Sequence, residues 1–255
     1  YDAIPIEERG PGVHILTGPI YVEGAQPGDV LECRILNLRA RLPYGINFAA
    51  NWGLLYEDFS ETEYVTLFEV DEKTNTAQAV FYYKFPGILD KPGPITHLEA
   101  RKKHPILRGV RVPLKYHFGT AGVVPKQKGI IDSVPPGIFG GNIDNRDFNV
   151  GTSMYYPVQV EGALFVAGDP HLAQGHGEIA GTAIEGHLNA TIQLLVRDNI
   201  KINNPVLETP THWITHAFDK DLNEGIRLAA MEMIEFLVNN WELSEIEAYT
   251  LLSVA

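Results

Sequence analysis

The hydrophobic positions of the first 220 residues fall mostly in short runs that are separated by glycine and proline. The clearest run alternates with a period of two, and its apolar side consists of Leu188, Ala190, Ile192, Leu194 and Val196. Successive side chains of a β-strand point to opposite faces, so this alternation predicts a half-buried strand. The first two thirds of the chain is therefore expected to consist of short strands joined by turns.

A second strand is predicted around Cys33. Leu31, Cys33 and Ile35 share one face, and the phase of the alternation changes at Leu36 and Leu38, which indicates a β-bulge. Cys33 is expected to be a small buried side chain, in preference to a nucleophile. Further strands are predicted at residues 62–70, 77–85, 106–112 and 160–167.

The pattern changes after residue 220, where apolar residues recur at spacings of three and four and predict a helix. These residues are Leu222, Ile226, Ala229, Met233, Ile234 and Leu237. Asp221 with Glu224, and Ser244 with Glu247, have the spacing of a capping box and predict where two helices begin. We expect a mainly β fold, a sandwich or barrel, with two C-terminal helices packed on the sheet.

We expect residues 1–255 to form a single domain, with residues 221–255 as its helical C-terminal extension.

The charge balance excludes several partners. The chain has 20 Lys and Arg against 32 Asp and Glu, a net charge of −12, and its longest cationic run is residues 101–103. Binding to nucleic acid or to an anionic membrane surface needs clustered cations, so neither partner is expected. A single cysteine excludes a disulfide framework within the chain, and no apolar run is long enough to predict a transmembrane helix. We expect a cytoplasmic protein.

Familiar catalytic signatures do not occur in the sequence. There is no G-x-S-x-G nucleophile motif, no H-E-x-x-H zinc motif, no G-x-x-x-x-G-K-[ST] phosphate loop and no G-x-G-x-x-G after a strand. Any chemistry must then come from polar residues that the fold brings together.

Residues 168–178 hold the densest group of such residues, among glycines and after the predicted buried strand. Asp169 and His171 are two positions apart, so in an extended segment they would point the same way and could bind one divalent ion. Zinc suits a carboxylate with an imidazole better than calcium does. A solvated loop in which Asp169 caps backbone amides is the alternative.

Glu178 and Glu185 flank an apolar stretch, residues 179–184, which we predict to be a buried strand. A carboxylate at either end could act as a general base or a metal ligand. A surface position is equally compatible with the sequence.

Asn142 and Asp144 form the next candidate pair, in the run from Gly140 to Asp147. The amide of Asn142 could polarise a carbonyl group, and Asp144 could bind metal or activate water. Turn formation by these residue types is the competing explanation. His117 precedes a segment of small residues, and a structural role is the favoured explanation for it.

Several motifs in order resemble the acetamidase/formamidase family, from about residue 13 to residue 220. They are TGPIYVEGA at 17–25, PGDVLE at 27–32, GGNID at 140–144, GTSMYYPV at 151–158, GDPH at 168–171 and QGHGE at 174–178. The resemblance implies a jelly-roll-like β-sandwich with C-terminal α-helices packed on it. It also implies an amidohydrolase that cleaves a short-chain amide, such as formamide or acetamide, to the carboxylate and ammonia.

The resemblance further implies a divalent metal ion, with zinc expected and calcium as the alternative, and a homo-oligomer of two or more chains. Relatives usually have an N-terminal segment and a short C-terminal stretch that this chain is expected to lack. His176 stands where the family commonly has Asp, which leaves open whether His176 replaces a ligand.

The matching polar residues are assigned these hypothetical roles. Asp144, Asp169 and His171 hold the ion, which lowers the pKa of a bound water molecule and polarises the amide oxygen. Glu178 carries the proton to the leaving ammonia, Glu185 is a further ligand or a support, and Asn142 polarises the carbonyl.

Two rival functions remain open. One is hydrolysis of lactams or larger amides on the same scaffold, and the other is a noncatalytic jelly-roll binding protein with a structural calcium ion. The aromatic residues Tyr44, Phe48, Trp52 and Tyr56 are candidates to shape a substrate pocket, and packing of the fold is their alternative role.

Overall fold

The computed structural model describes residues 11–50, 52–59, 63–85 and 101–255. These residues form two antiparallel sheets and three helices, so the mainly β prediction is confirmed. The strands are β1 (Leu16–Ile20), β2 (Val30–Ala40), β3 (Tyr44–Ala49), β4 (Tyr64–Asp71), β5 (Thr76–Lys84), β6 (Val112–Pro113), β7 (His117–Gly122), β8 (Gly140–Asn142), β9 (Ser153–Pro157), β10 (Phe165–Ala173), β11 (Ile184–Glu185), β12 (Leu188–Arg197), β13 (Val206–Glu208) and β14 (Trp213–Thr215). The helices are α1 (Tyr56–Phe59), α2 (Leu222–Trp241) and α3 (Glu245–Val254).

The two sheets face each other across the main hydrophobic core. Within the described residues, one sheet has the strand order β12-β2-β9-β13-β14, and the other has the order β6-β5-β4-β3-β11-β10-β7-β8, with β1 paired to β10. Cys33 of β2 and Tyr156 of β9 belong to one buried cluster with Phe118 of β7 and Phe165 of β10. Side chains from both sheets therefore fill one core, which is the arrangement of a β-sandwich.

The larger sheet also curls on itself. Phe68 of β4 and Ala79 of β5 share a second buried cluster with Leu172 of β10 and Ile184 of β11. These strands belong to the same sheet, and β3 lies between the two pairs. The contact requires the sheet to bend back, and this brings β10 and β11 into a well-packed interior.

The predicted bulge in β2 is confirmed. Thr191 of β12 pairs with Asn37, whereas the next residue, Ile192, pairs with Ile35, so Leu36 is left without a partner in the ladder. Leu36 is 52% exposed while Ile35 is buried. The extra residue shifts the alternation by one position, as the change of phase in the sequence indicates.

Three further strand predictions concern the larger sheet, and two of these strands are present. Residues 62–70 and 77–85 correspond to β4 and β5, although residue 62 lies outside the described residues. The prediction for residues 106–112 was wrong, because only Val112 belongs to a strand. Leu107 and Gly109 have φ angles of +47° and +77°, and the Val110 N–H donates to the Leu107 carbonyl, so this apolar stretch forms a turn.

Both predicted helix starts are confirmed. The Asp221 carboxylate accepts hydrogen bonds from the backbone N–H groups of Asn223 and Glu224. Ser244 and Glu247 form the reciprocal capping box at the start of α3. No helix in the described part of the chain is long and apolar enough to span a membrane.

The predicted apolar face of α2 is only partly buried. Leu222 and Ile226, in its first turns, are 77% and 61% exposed. The helix contacts β14 further along, where Phe236 is buried with its ring 5.0 Å from that of Trp213. The C-terminal part of α2 therefore anchors the helix to the smaller sheet.

Candidate active site

A row of polar residues crosses three adjacent strands of the larger sheet. His171 of β10 is paired in register with His117 of β7 on one side and with Glu185 of β11 on the other. Residues directly opposite each other in antiparallel strands have neighbouring side chains. Strand pairing thus gathers residues that are far apart in the sequence.

Asp169 and His171 lie within β10, so the prediction that they belong to a loop after a strand ending at residue 167 was wrong. β10 begins at Phe165 and continues through the polar residues because it is paired with β1, β7 and β11. The expectation that the two side chains point the same way is confirmed, since His171 Nε2 lies 3.4 Å from Asp169 Oδ1.

Glu178 and Glu185 lie at the two ends of a turn, and both carboxylates approach Nε2 of His171. The predicted strand at residues 179–184 was wrong, because Gly181 has a φ of +80° and its N–H donates to the Glu178 carbonyl. Trp52 packs against this turn so closely that a Cβ on Gly181 would clash with the indole ring. His171 Nε2 lies 3.3 Å from Glu185 Oε2 and 4.0 Å from Glu178 Oε1.

Asp144 approaches from the segment that follows β8. Its backbone N–H donates to the carbonyl of Gly119, and its Oδ1 atom is buried with no hydrogen-bond partner among the described residues. Asn142 lies at the end of β8, where its Oδ1 accepts the Thr120 hydroxyl at 2.9 Å and its Nδ2 donates to the Val134 carbonyl at 3.2 Å.

Gly119 of β7 leaves room for this cluster. A Cβ at this position would lie 2.6 Å from both Asp144 Oδ1 and His171 Cε1, and closer still to Asp169 Oδ2. The cluster therefore closes over bare backbone, and any larger residue would displace its acidic groups.

The arrangement fits a bound divalent cation. One ligand atom from each of Asp144, His171 and Glu178, and likewise from each of Asp169, His171 and Glu185, lie within 4.8 Å of one another. Four carboxylates surround one imidazole, and the buried Asp144 Oδ1 has no hydrogen-bond partner in the part of the chain that the structure describes. A cation would supply the missing interaction, and a mixed imidazole and carboxylate set suits zinc better than calcium.

The pKa values of the cluster are shifted because several acidic groups are buried close together. Burial lowers the pKa of His171, but Asp169 and Glu185 outweigh burial and raise this pKa to about 11. Burial raises the pKa of Glu178 to about 8, and the charge of Asp144 adds to the rise. Burial likewise raises the pKa of Asp144 to about 7, against the opposing charge of His171. One imidazolium does not balance the four acidic groups.

Four further residues complete the surroundings of the cluster. The Thr120 hydroxyl is 3.3 Å from Asp169 Oδ2, and His14 Nε2 is 3.6 Å from the same oxygen. Behind His171, the buried side chains of His117 and Gln174 contact its Nδ1 atom. The QGHGE motif contains Gln174, whereas nothing local in the sequence indicates His14.

The remaining candidates are not members of the cluster. His176 is exposed and belongs to neither ligand set. Tyr44 and Tyr56 are each 45% exposed, while Phe48 and Trp52 form an edge-to-face pair with ring centroids 5.3 Å apart. Cys33 is fully buried, and burial raises the pKa of its thiol to about 12, as expected for an inert cysteine.

Comparison with known proteins matches this chain to one family. The model of the acetamidase/formamidase family aligns with residues 11–133 and 127–255. The chain belongs to this family. The amidohydrolase class expected from the sequence is confirmed by that membership.

The family's relatives include enzymes of known activity. The chain is 28% identical to a formamidase of Methylophilus methylotrophus, with 88% of this chain and 67% of the relative aligned. It is 26% identical to an acetamidase of Mycolicibacterium smegmatis, with 95% and 73% aligned. The crystal structure of an acetamidase from Bacillus halodurans superposes with a TM-score of 0.77 at 32% identity, over 94% of this chain and 71% of that one.

Proposed function

We propose that this protein hydrolyses a short linear amide, of the size of formamide or acetamide, to a carboxylate and ammonia. The observation that carries the proposal is the cluster of four carboxylates around His171, in a chain of the acetamidase/formamidase family. The formamidase and acetamidase relatives support the size of the substrate.

Asp144, Asp169 and His171 would hold a divalent ion, which we propose to be zinc. Glu185 would be a further ligand or would support His171, from which it is 3.3 Å away. When bound there, the ion would lower the pKa of a water molecule and polarise the amide oxygen. The partnerless Asp144 Oδ1 supports this assignment.

Glu178 is the proposed proton carrier. One oxygen of its carboxyl group lies within 4.8 Å of ligand atoms of Asp144 and His171, and the residue stands on the turn that packs against Trp52. It takes one proton from the attacking water as the carbon–oxygen bond forms, and gives it to the amide nitrogen as the carbon–nitrogen bond breaks. Ammonia and the carboxylic acid are the balanced products.

Asn142 acts on the site through its neighbour in this proposal. Its amide oxygen accepts the Thr120 hydroxyl, which also lies near Asp169 Oδ2. Asn142 therefore orients the Thr120 hydroxyl beside Asp169.

The test is hydrolysis of formamide, acetamide, propionamide and a γ-lactam by chelator-treated protein that has been reloaded with zinc or calcium. Ammonia release measures turnover of the three linear amides, and formation of the ring-opened amino acid measures turnover of the lactam. We expect turnover of the two smallest amides by the zinc-loaded protein. A preference for the lactam would assign the larger substrate class. Bound calcium without ammonia release from any amide would point to a noncatalytic binding protein.

Two substitutions connect the activity to the cluster. Asp169→Ala and His171→Ala should each abolish both zinc content and ammonia release, because each removes a ligand. Ser153→Ala is the matched control, because Ser153 is buried in the smaller sheet, away from the cluster. Its hydroxyl donates a hydrogen bond to Glu32. Full activity of a metal-free preparation would contradict this mechanism.

The homo-oligomer and the cytoplasmic location remain predictions. Light scattering of the purified chain at several concentrations would test the first, with a mass of at least two chains expected.

A further inference from the structure

The side chains behind His171 form a closed triangle of polar atoms. Gln174 Oε1 lies 2.9 Å from His171 Nδ1 and 2.7 Å from His117 Nε2, and the two ring nitrogens are 3.1 Å apart. His117 is fully buried, His171 is 1% exposed and Gln174 is 8% exposed. Bulk water is excluded, so these side chains must satisfy one another.

The orientation of the Gln174 amide is fixed by a contact on its other side. Gln174 Nε2 lies 2.7 Å from the backbone carbonyl of Asp144, which only accepts hydrogen bonds. The NH₂ group must therefore face Asp144, and Oε1 must face the histidines. An amide oxygen only accepts, and so does the Lys115 carbonyl, which is 2.8 Å from His117 Nδ1. A neutral His117 therefore has its one proton at Nδ1, which leaves His171 Nδ1 as the donor to Gln174 Oε1.

The far side of the His171 ring then has a defined role. With the proton at Nδ1, Nε2 is the atom directed at the acidic groups, 3.4 Å from Asp169 Oδ1 and 3.3 Å from Glu185 Oε2. The ring of His117 meets that of His171 at 84°, with centroids 4.9 Å apart, and blocks rotation on that side. His117 is itself anchored, because its Nδ1 lies 2.8 Å from the Lys115 carbonyl.

We propose that Gln174 is a positioning residue that holds a proton on His171 Nδ1 and so directs Nε2 at the carboxylate cluster, while the ring of His117 keeps the His171 ring in place. The same glutamine joins His171 to the backbone of Asp144, so it sets the spacing between two members of the cluster. The inference rests on the proposed function only for the identity of the group that His171 holds.

A pair of substitutions at one position isolates the contact. Gln174→Met has nearly the same size but no oxygen, whereas Gln174→Glu keeps an acceptor opposite His171 Nδ1. Both lose the amide donor to the Asp144 carbonyl. They therefore differ in the hydrogen bond to His171, and Ser153→Ala again controls for the loss of a buried hydrogen bond elsewhere.

The first readout is the imidazole N–H signal of His171 in proton–nitrogen NMR, assigned by its disappearance in His171→Gln. Wild-type protein and Gln174→Glu should show a slowly exchanging Nδ1–H, and Gln174→Met should lose it. The second readout is zinc affinity by competition with a chelator. We expect Gln174→Met to bind about 10–100-fold more weakly, as for other residues that orient a ligand histidine, and Gln174→Glu to remain closer to the wild type.

The outcomes separate this inference from the proposed activity. A protected Nδ1–H and the expected order of zinc affinities support it even if no amide is hydrolysed. The inference is overturned if the wild type shows no protected Nδ1–H, or if the Met and Glu variants are impaired equally, since the Asp144 contact would then account for the whole effect.

Discussion

Gly119 determines how closely the acidic residues of the site can approach one another. It lies in β7, directly under the point where Asp144, Asp169 and His171 converge. Its backbone is not in the left-handed region, so a side chain is excluded here by its neighbours alone. A residue that seems unremarkable in the sequence is therefore part of the site's shape.

We predict that Gly119→Ala abolishes zinc binding and ammonia release while the protein still folds. The added methyl group would overlap the carboxylates of Asp144 and Asp169, which would have to move apart. Zinc titration and circular dichroism would measure the two effects. Gly175→Ala is the control, because a Cβ there meets nothing within 4 Å. Normal zinc affinity in Gly119→Ala would contradict the proposed ligand set.

Single residues differ in how well the sequence reveals them. Asp169 and His171 were identifiable because a spacing of two puts both on one side of an extended segment. His14 was not, since its approach to Asp169 depends on β1 pairing with β10 and on a contact with the distant Ser133. Local spacing carries no information about such contacts.

Among elements, strands with one buried face were predictable and irregular ones were not. The alternation in β12 and the bulge in β2 follow from burial of one face. β10 was misjudged because its polar and glycine residues resemble a loop, although pairing with three other strands keeps it extended. The turn at residues 179–184 was misjudged for the opposite reason, since its apolar side chains resemble a strand.

Glu32 joins three strands of the smaller sheet. Its carboxylate, fully buried in β2, accepts hydrogen bonds from Ser153 of β9 at 2.9 Å and from Arg197 of β12 at 2.6 Å, and it pairs with Arg34. Burial raises the pKa of Glu32, but these donors outweigh burial and the net pKa is lowered. The charged form of Glu32 is therefore more favourable in the folded protein than in the unfolded chain.

We predict that Glu32→Gln lowers the free energy of unfolding by about 1.5–3 kcal/mol at pH 7, the usual range for hydrogen bonds to a charged group. The pKa is lower in the folded state, so the charged form stabilises fully above the ordinary value of 4.5 and loses this effect as the pH falls. Urea unfolding at pH 7 and below pH 4.5 should show the difference from wild type shrinking. Glu224→Gln, at an exposed ion pair, should change stability little. A pH-independent difference would contradict this account of Glu32.

At the scale of the whole molecule, the site is the point where segments from distant parts of the chain meet. Its residues come from β7, the end of β8, β10, the following turn and β11. The hydrophobic pattern predicted a mainly β fold, a sandwich or barrel, and singled out the polar residues. The family resemblance implied the sandwich and indicated that these residues belong together. Their mutual distances depend on the curl of the larger sheet, which no local pattern specifies.

The concentration of acidic groups at this meeting point predicts that metal binding stabilises the entire fold. The chain has a net charge of −12, and four carboxylates are held around one histidine. Only the folded chain assembles them, so a cation that binds there stabilises the folded state. Free zinc at about 100 times its dissociation constant should add about 2.7 kcal/mol, which corresponds to about 5–10 °C in the melting temperature of a chain of this size.

Calorimetry of chelator-treated protein, with and without added zinc, would measure this shift. Asp169→Asn should melt without a zinc-dependent shift. It should also be less stable than the metal-free wild type, because burial of Asp169 is outweighed by the hydrogen bond and charge of His171, which lower the pKa of Asp169 in the folded state. Ser153→Ala should keep the full zinc shift at a lower starting temperature, since its lost hydrogen bond to Glu32 lies in the other sheet. Equal melting temperatures of the wild type with and without zinc would show that the cluster does not bind this ion, and the proposed mechanism would fail with it.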